Sequence, residues 1–270
     1  MADQGQKADL LWTSEIRLDL LGPVRLCNSA GDDLTPKSRK TKALLAVAAL
    51  SKGPVPRSRL TDLLWGDRGE EQAKASLRQA VYELRSLSGS GYLVADRNSV
   101  GLGPKKLPTD YAQIQRLIEA GDADGLAGAL ENADCPPLAD LDDITPELDD
   151  WLRDERARLC GAIAAGAARV ADQALTAGAC TTARKIADEL ERLDRFDERA
   201  AQLGIRADLA LGDRAAATRR HARLSERFEK ELGLAPSDET EALLKAAKST
   251  AVQTPPTAAT PSTAAASKWP

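Results

Sequence analysis

Residues 70–88 have the sequence EEQAKASLRQAVYELRSLS, which lacks glycine and proline and is rich in strong helix formers. When successive residues are turned by about 100°, the apolar side chains separate onto one arc of the helix. That arc consists of Ala73, Leu77, Ala80, Val81 and Leu84, with Leu87 at its edge. The sequence therefore predicts an amphipathic helix that buries one face in a protein core.

The opposite face of this helix carries side chains that are suited to contacts with DNA. Arginine can bond guanine through two hydrogen bonds, glutamine can bond adenine, and lysine or tyrosine can hold phosphate. Taken alone, the pattern is more typical of an ordinary amphipathic helix with a solvated face. The exposed set comprises Ala75, Arg78, Gln79 and Tyr82, flanked by Lys74 and Arg85.

The neighbouring segments favour the DNA-reading interpretation, because together they predict a winged helix-turn-helix. Alternating apolar residues in 15–26 favour two or three short antiparallel strands. Two helices are predicted at 39–51 and 57–65, and a hairpin follows the third helix with residues 97–98 at its tip. In this arrangement the third helix enters the major groove, and the hairpin reaches the backbone or the minor groove.

The start of the first helix has an unusual charge. Arg39, Lys40 and Lys42 cluster there, although cations oppose the helix dipole at an N-terminus. The placement therefore needs another cause, and a phosphate backbone passing this end of the helix would supply one. We expect these three side chains to contact DNA phosphates.

The charge of the chain is distributed asymmetrically. The net charge of -4 combines +5 over residues 1–106, from 17 Lys/Arg and 12 Asp/Glu, with -9 over the remaining residues. A basic front half on an acidic back half fits a nucleic-acid module joined to something else. The surplus of +5 is modest, so this feature is only suggestive.

The composition argues against an enzyme, a metalloprotein and a membrane protein. The four cysteines have no CxxC spacing, so we expect reduced thiols. The only histidine is His221, which we expect to be a solvated surface residue. We therefore expect neither a metal site nor a cofactor. No phosphate-binding loop or catalytic Cys/His pair is present. A signal peptide and an 18-residue apolar run are also lacking. We therefore expect a cytoplasmic, non-enzymatic protein without membrane contact from these residues.

From residue 110 onward the pattern is almost entirely helical. Short helices are predicted around Gly121, followed by an acidic, proline-rich loop at 134–143. Thr145-Pro146 has the pattern of an N-cap followed by proline at the first helical position, and it opens a helix that runs to about residue 177.

A repeat of 34 residues follows this long helix. Leu175 aligns with Leu209, and Gly178 aligns with Gly212. This period is typical of tetratricopeptide repeats, in which helix pairs stack into a curved array with a concave binding surface. The array is expected to end at Gly233 and to be closed by a helix at 238–247.

Four motifs in the front half resemble the antibiotic-regulatory-protein (SARP) class of bacterial transcriptional activators: LLGPV (20–24), RKTKALLAVAAL (39–50), RLTDLLWGD (59–67) and ASLRQAVYELR (75–85). The resemblance covers about residues 15–106 and implies an OmpR-like winged helix. One departure is Pro56, where a serine or threonine cap usually opens the second helix.

This resemblance assigns roles to residues of the front half. It implies that the third helix reads the major groove with Lys74, Ser76, Arg78, Gln79 and Tyr82. The predicted phosphate contacts are Arg39, Lys40, Lys42, Arg57 and Arg85, and the wing contributes Arg97 and Asn98.

The back half resembles the bacterial transcriptional activation domain that follows the winged helix in the same class. The motifs are WLRDER (151–156), FDERA (196–200), LGDRAAA (211–217) and ELGLAPSDET (231–240). The resemblance implies double-stranded DNA and RNA polymerase as partners, and it assigns either homodimerisation or partner contact to the repeats.

The sequence thus predicts a mainly α protein with a small β part, divided into four segments. A winged helix-turn-helix spans 15–106, and an all-α repeat domain spans 107–248. Flexible tails are expected at 1–14 and at 249–270, where the alanine-, proline- and threonine-rich composition favours a tether. The native chain is expected either to end there or to continue into a further domain or anchor.

Two functions remain open at this stage. The leading hypothesis is a sequence-specific DNA-binding regulator, with activation favoured over repression. The alternative is a tetratricopeptide-type protein-interaction scaffold whose winged helix does not bind DNA. Steep salt dependence of binding to duplex DNA distinguishes the two.

Overall fold

The computed structural model describes residues 16–89, 91–134 and 136–249. The predicted tails lie outside these residues, except for Ser249, which ends the last helix. Among the described residues, the front half contains five short strands and three helices: β1 (Ile16–Asp19), β2 (Arg25–Asn28), α1 (Arg39–Leu50), β3 (Val55–Pro56), α2 (Arg57–Trp65), α3 (Glu70–Ser88), β4 (Leu93–Ala95) and β5 (Ser99–Leu102).

The first sheet is the antiparallel hairpin that the alternating pattern predicts. Strands β1 and β2 pair so that Leu18 lies opposite Leu26, and both side chains are completely buried. Gly22 adopts a left-handed φ of 109° in the turn between them. Glycine suits this position because any residue with a Cβ carries a steric penalty at such a positive φ.

The second sheet forms the wing and contains one strand that the sequence pattern does not predict. Its order is β3-β5-β4, and both pairings are antiparallel. Pro56 lies opposite Ser99 at the sheet edge and also caps α2 without a side-chain hydrogen bond. An edge position suits proline, which has no N–H to donate to a neighbouring strand.

Helices α1, α2 and α3 pack against these strands around a core of aliphatic side chains. Helix α3 buries the predicted arc, and Leu44, Leu60 and Leu64 from the other helices are completely buried beside it. Helix α1 has its N-cap at Ser38, whose Oγ accepts a hydrogen bond from the N–H of Thr41. The core fixes α3 with its polar face directed outward.

The back half contains seven helices and one π-helical turn within the described residues. The elements are α4 (Asp110–Ala120), α5 (Ala123–Glu131), α6 (Pro146–Thr176), α7 (Cys180–Leu193), α8 (Glu198–Ala210), α9 (Arg214–Arg227), the π-helical turn (Phe228–Leu232) and α10 (Asp238–Ser249). Thr145 caps α6 as predicted, because its Oγ1 accepts from the N–H of Leu148.

The 34-residue repeat has a clear structural basis. Gly178 follows α6 with a φ of 82°, and Gly212 follows α8 with a φ of 77°. Both glycines therefore end equivalent helices in the left-handed conformation. The end of α6 and helix α8 are the first helices of successive pairs, while α7 and α9 are the second helices.

A buried ion cluster joins the two helix pairs. The Arg220 side chain, only 6% exposed, contacts carboxylates of Asp188 and Glu191 on α7 and of Asp208 on α8. Its guanidinium lies against the backbone of Gly204, where an added Cβ would be 2.4 Å from the Arg220 Cζ atom. Glycine at this position therefore allows the arginine to cross the helix.

The two halves share hydrophobic clusters across the predicted boundary. Leu138, Leu141, Leu148 and Leu152 from the back half belong to the same buried cluster as the winged-helix core, and Leu21 belongs to the cluster of the repeats. The acidic segment 134–143 is therefore partly internal, since the first two leucines are completely buried.

Backbone hydrogen bonds strengthen this junction. The N–H of Leu138 donates to the carbonyl of Leu20 at 2.9 Å, and the N–H of Ala139 donates to the carbonyl of Gly22 at 2.9 Å. The Oγ1 of Thr145 also donates to the carbonyl of Leu63 on α2 at 2.6 Å. The winged helix is thus fastened to the helical half at several points.

A buried carboxyl lies at the same junction. The Asp110 side chain accepts hydrogen bonds from the N–H groups of Leu20 and Leu21 at 2.8–2.9 Å. Burial raises the pKa of Asp110 to about 6, although these hydrogen bonds act in the opposite direction. The ionisation of this group is therefore coupled to the contact between the start of α4 and the segment that follows β1.

Candidate nucleic-acid interface

The outer face of α3 is exposed to solvent. Arg78, Gln79 and Tyr82 are all exposed, and Tyr82 presents 69% of its surface to solvent. The side chains of Arg78 and Gln79 make no polar contact with other residues that the structure describes. They are therefore available to a ligand without breaking an existing interaction.

Two other predicted residues of α3 are held by neighbours in the first turns of the helix. The Nζ atom of Lys74 lies 2.7 Å from a carboxylate oxygen of Glu70 and 3.1 Å from one of Glu71. The hydroxyl of Ser76 donates to the carbonyl of Gln72 at 2.9 Å. These contacts are exposed and exchangeable, so they leave both side chains on the surface but partly occupied.

Arg68 joins this surface, although sequence reasoning did not select it. Its Nη1 donates to Ser76 Oγ at 3.1 Å, which brings a loop cation beside the start of α3. The sequence around Gly69 predicts a loop but does not indicate where the side chains of that loop point. Only the turn geometry brings residues eight positions apart into contact.

The wing is attached to α2 and α3 by two of the predicted phosphate-binding arginines. Arg57 Nε donates to the carbonyl of Asp96 at 2.8 Å, and Arg85 Nη2 donates to the carbonyl of Ala95 at 3.2 Å. Each guanidinium uses one of its five N–H donors in this contact. Arg57 and Arg85 therefore orient the hairpin and keep further donors free for an anion.

The hairpin tip is ordered by an aspartate. The carboxylate of Asp96 accepts from the N–H groups of Asn98 and Ser99 at 2.7 Å, and these hydrogen bonds lower the pKa of Asp96. Arg97 and Asn98 are exposed at the tip. The structure brings these two wing residues to the same end of the molecule as Arg57.

The cations at the start of α1 have protein partners. Arg39 Nε donates to the carbonyl of Asp140 at 3.1 Å, and a second guanidinium nitrogen donates to the carbonyl of Asp142. Lys42 forms an ion pair with the carboxylate of Asp140. The acidic segment 134–143 therefore explains why cations occupy this helix start, and a phosphate role for Arg39 and Lys42 stays a prediction.

Lys40 differs from these two residues because its partner lies in the winged helix itself. Its Nζ is 3.1 Å from a carboxylate oxygen of Asp67, and this contact lowers the pKa of Asp67. The lysine side chain is 21% exposed, so it lies near the surface beside the loop that precedes α3. A phosphate contact from Lys40 also stays a prediction.

Within the part of the chain that the structure describes, no three His, Cys, Asp or Glu side chains are grouped as metal ligands. The expectation that His221 is a solvated surface residue is wrong: its side chain is 12% exposed, and Nε2 lies 2.9 Å from Glu241 on α10. His221 connects α9 to the closing helix.

A profile described as "Bacterial transcriptional activator domain" matches residues 109–247, which is just over half of the chain. The chain belongs to this family. The bacterial transcriptional activator domain spans helices α4 to α10 except for the last two residues of α10, and it includes the helical repeat and the whole acidic segment 134–143.

A solved structure extends the likeness to the front half. The chain is similar to Mycobacterium tuberculosis EmbR in complex with a low-affinity phosphopeptide, with a TM-score of 0.65 and 19% sequence identity. The match covers 87% of this chain and 65% of the EmbR chain, so the present chain spans just under two thirds of that protein. No curated protein matches the sequence.

These findings confirm the predicted fold class and the resemblance to the SARP class. The bacterial transcriptional activator domain places the chain in a family of transcription regulators. In the described residues, no helix combines the length and the apolar character needed to cross a membrane.

Proposed function

We propose that this chain is a sequence-specific DNA-binding activator that inserts α3 into the major groove. The observation that carries the proposal is the contrast between the two faces of α3. One face lies entirely within the core, while Arg78, Gln79 and Tyr82 project outward. A recognition helix requires this combination of rigid support and free polar side chains.

Sequence recognition is assigned to the central part of α3. Arg78 has the donor geometry for guanine O6 and N7, and the amide of Gln79 can pair with adenine N6 and N7. Both side chains are exposed and make no polar contact with other described residues. Tyr82 lies about one turn further along α3, where its hydroxyl is suited to a phosphate or a base edge.

Sequence-independent affinity is assigned to cations around this helix. Arg97 at the hairpin tip is the contact to a phosphate or to the minor groove. Arg57 and Arg85 support the hairpin and also present N–H donors to the DNA phosphate backbone. Lys74 and Ser76 contribute at the start of α3. Contacts from Arg39 or Lys42 would require their hydrogen bonds and ion pair with the acidic segment to break.

The helical half is assigned to protein contacts. Its stacked helix pairs present an extended surface of the kind that serves dimerisation or recruitment of RNA polymerase. The shared core places this surface at a fixed position relative to α3. An activator of this design holds a partner beside the promoter while the winged helix binds its operator.

The proposal is tested by selecting bound fragments from the source genome with the purified protein at two salt concentrations. A short enriched motif is the expected result. Arg78→Ala is expected to lose preference at one position and to bind the selected site about 5- to 150-fold more weakly, corresponding to ~1–3 kcal/mol. Arg97→Ala is expected to weaken all sequences evenly and to reduce the salt slope by about 1.

Arg219→Ala provides the matched control, because it removes the same charge from an exposed position of α9. It is expected to leave the enriched motif and its affinity unchanged. If Arg78→Ala selects the same motif with the parental affinity, α3 is not the reading helix. Absence of salt-dependent binding by the parent would instead support the protein-interaction scaffold.

A further inference from the structure

A groove lies between the first helices of the two repeats. It has a volume of about 580 Å³, which is within the usual range of ligand sites. One side of α6 and the start of α8 form its walls. The lining residues are Ala165, Arg169, Asp172, Gln173, Thr176, Ala177 and Arg199.

The lining of α6 follows a single face of the helix. Ala165, Arg169, Asp172 and Thr176 succeed one another at intervals of three or four residues, which places them in one row. The row extends to Ala177 and therefore measures roughly 18 Å along the helix axis. Small alanine side chains at its two ends leave space for a main chain to lie against α6.

The groove is cationic within an otherwise acidic half of the chain. Arg206 Nη1 lies 2.5 Å from one oxygen of Asp172, and Arg199 Nη2 lies 3.9 Å from the other. Arg169 donates to the carbonyl of Ile118 at 3.4 Å, which holds it at the rim. Two guanidinium groups thus contact one carboxylate, and a third, that of Arg169, lines the same groove.

These arginines retain donors for a ligand. The side chains of Arg199 and Arg206 remain 59% and 45% exposed despite their contacts with Asp172. Exposed pairs of this kind contribute little stability, so a ligand carboxylate can share or replace the aspartate. The two arginines are two turns apart on α8, about 10.5 Å along the axis.

From this arrangement we propose that the groove binds an acidic, extended peptide segment of a partner protein. Guanidinium groups match the planar, two-oxygen geometry of glutamate and aspartate side chains. The row on α6 accommodates about five residues of extended chain at ~3.4 Å each. Asp172 acts as an internal competitor that holds the arginines in place until the ligand arrives.

Peptide binding in this groove and DNA binding by α3 involve different elements of the chain. The DNA-reading residues lie on α3 and the hairpin, whereas the groove is built from α6 and α8. The groove is a second site, and peptide binding there does not depend on operator binding by α3. A peptide experiment and a DNA experiment therefore fail or succeed separately.

The test is fluorescence anisotropy of the full chain with a fluorescein-labelled octapeptide of alternating glutamate and alanine. Alternation places all four carboxylates on one side of an extended segment. We expect binding that weakens with salt, and no binding of the matched glutamine–alanine peptide. The double variant R169Q/R199Q is expected to weaken binding at least tenfold.

Two further variants distinguish a specific groove from general attraction or misfolding. Asp172→Asn removes the internal competitor and is expected to bind the peptide several-fold more tightly than the parent. Arg153→Gln removes an exposed arginine from the same helix, 16 residues and about 24 Å from Arg169, and is expected to bind like the parent. Far-UV circular dichroism of each variant verifies the helical fold.

The proposal is overturned if the parent does not bind the glutamate peptide, or if the glutamine peptide binds equally well. Equal losses of peptide affinity in R169Q/R199Q and in Arg153→Gln would also overturn it. In a parallel titration with labelled duplex DNA, the groove variants are expected to bind like the parent. A loss of DNA affinity confined to R169Q/R199Q, without peptide binding, would assign the groove to phosphates instead.

Discussion

Arg220→Ala tests the energetic role of the ion cluster between the helix pairs. The change removes three charged contacts at once, to Asp188, Glu191 and Asp208. Burial alone would lower the pKa of Arg220, but hydrogen bonds to Glu191 and Asp188 raise it above its ordinary value. The arginine therefore remains charged, and its carboxylate partners depend on that charge.

Asp208 determines the magnitude of the effect. Its side chain is 1% exposed, and after the substitution the nearest remaining cation is Arg184, with Nη1 3.9 Å from Asp208 Oδ1. Removing one partner from a buried ion pair typically costs about 3–5 kcal/mol because the other charge stays buried. Since small domains have a total stability of roughly 5–15 kcal/mol, the variant is expected to lose a large fraction of its unfolding free energy at 25 °C.

The assay is urea unfolding followed by far-UV circular dichroism. Arg219→Ala is the control, because it removes a neighbouring exposed arginine and should change the unfolding free energy by no more than about 0.5 kcal/mol. The double variant R220A/D208A should be less destabilised than the sum of the single changes, by about 0.5–3 kcal/mol. Additive effects, or a loss below about 1 kcal/mol in Arg220→Ala, would refute the reasoning.

Two other predictions concern the junction between the halves. Asp110 has a folded pKa of about 6 against an ordinary value of 3.8, so the folded state holds this proton more tightly than the unfolded state does. The unfolding free energy of the parent should therefore fall, relative to that of Asp110→Asn, as the pH rises from 4 to 6. The expected decrease is on the order of 2–3 kcal/mol in total. Urea unfolding at several pH values checks this, and a constant difference would contradict it. Thr145→Ala should lower the unfolding free energy by about 1–3 kcal/mol, because it removes the α6 cap and the donor to the Leu63 carbonyl. Thr145→Ser keeps a hydroxyl and should lose less, and thermal unfolding of the two variants compares them.

The sequence predicts the helices well where local signals agree. The bounds of α2 and α3 match the predicted 57–65 and 70–88, since glycine or proline flanks each segment and the apolar period is regular. Thr145 and Pro146 mark the start of α6 for the same reason. The core face of α3 follows directly from this period, so the identity of its exposed side chains could be predicted as well.

Features that depend on distant partners could not be predicted. Arg39 and Lys42 contact a segment about 100 residues away, and nothing near them in the sequence indicates that partner. Arg220 falls in the stripe of Ala217 and Leu224 on α9, yet a charged residue there resembles an interruption of the apolar pattern. Its burial depends on acids from α7 and α8 that only the stacking of helices brings together.

The continuous core between the halves has a consequence for promoter geometry under the proposed function. Because the leucines of segment 134–152 are packed with the winged helix, the helical half cannot swivel freely when α3 enters the groove. The surface presented to a partner then follows the helical phase of the DNA. Moving the operator by five base pairs, about half a turn, would carry that surface to the opposite side of the duplex, whereas moving it by a full turn would restore its direction.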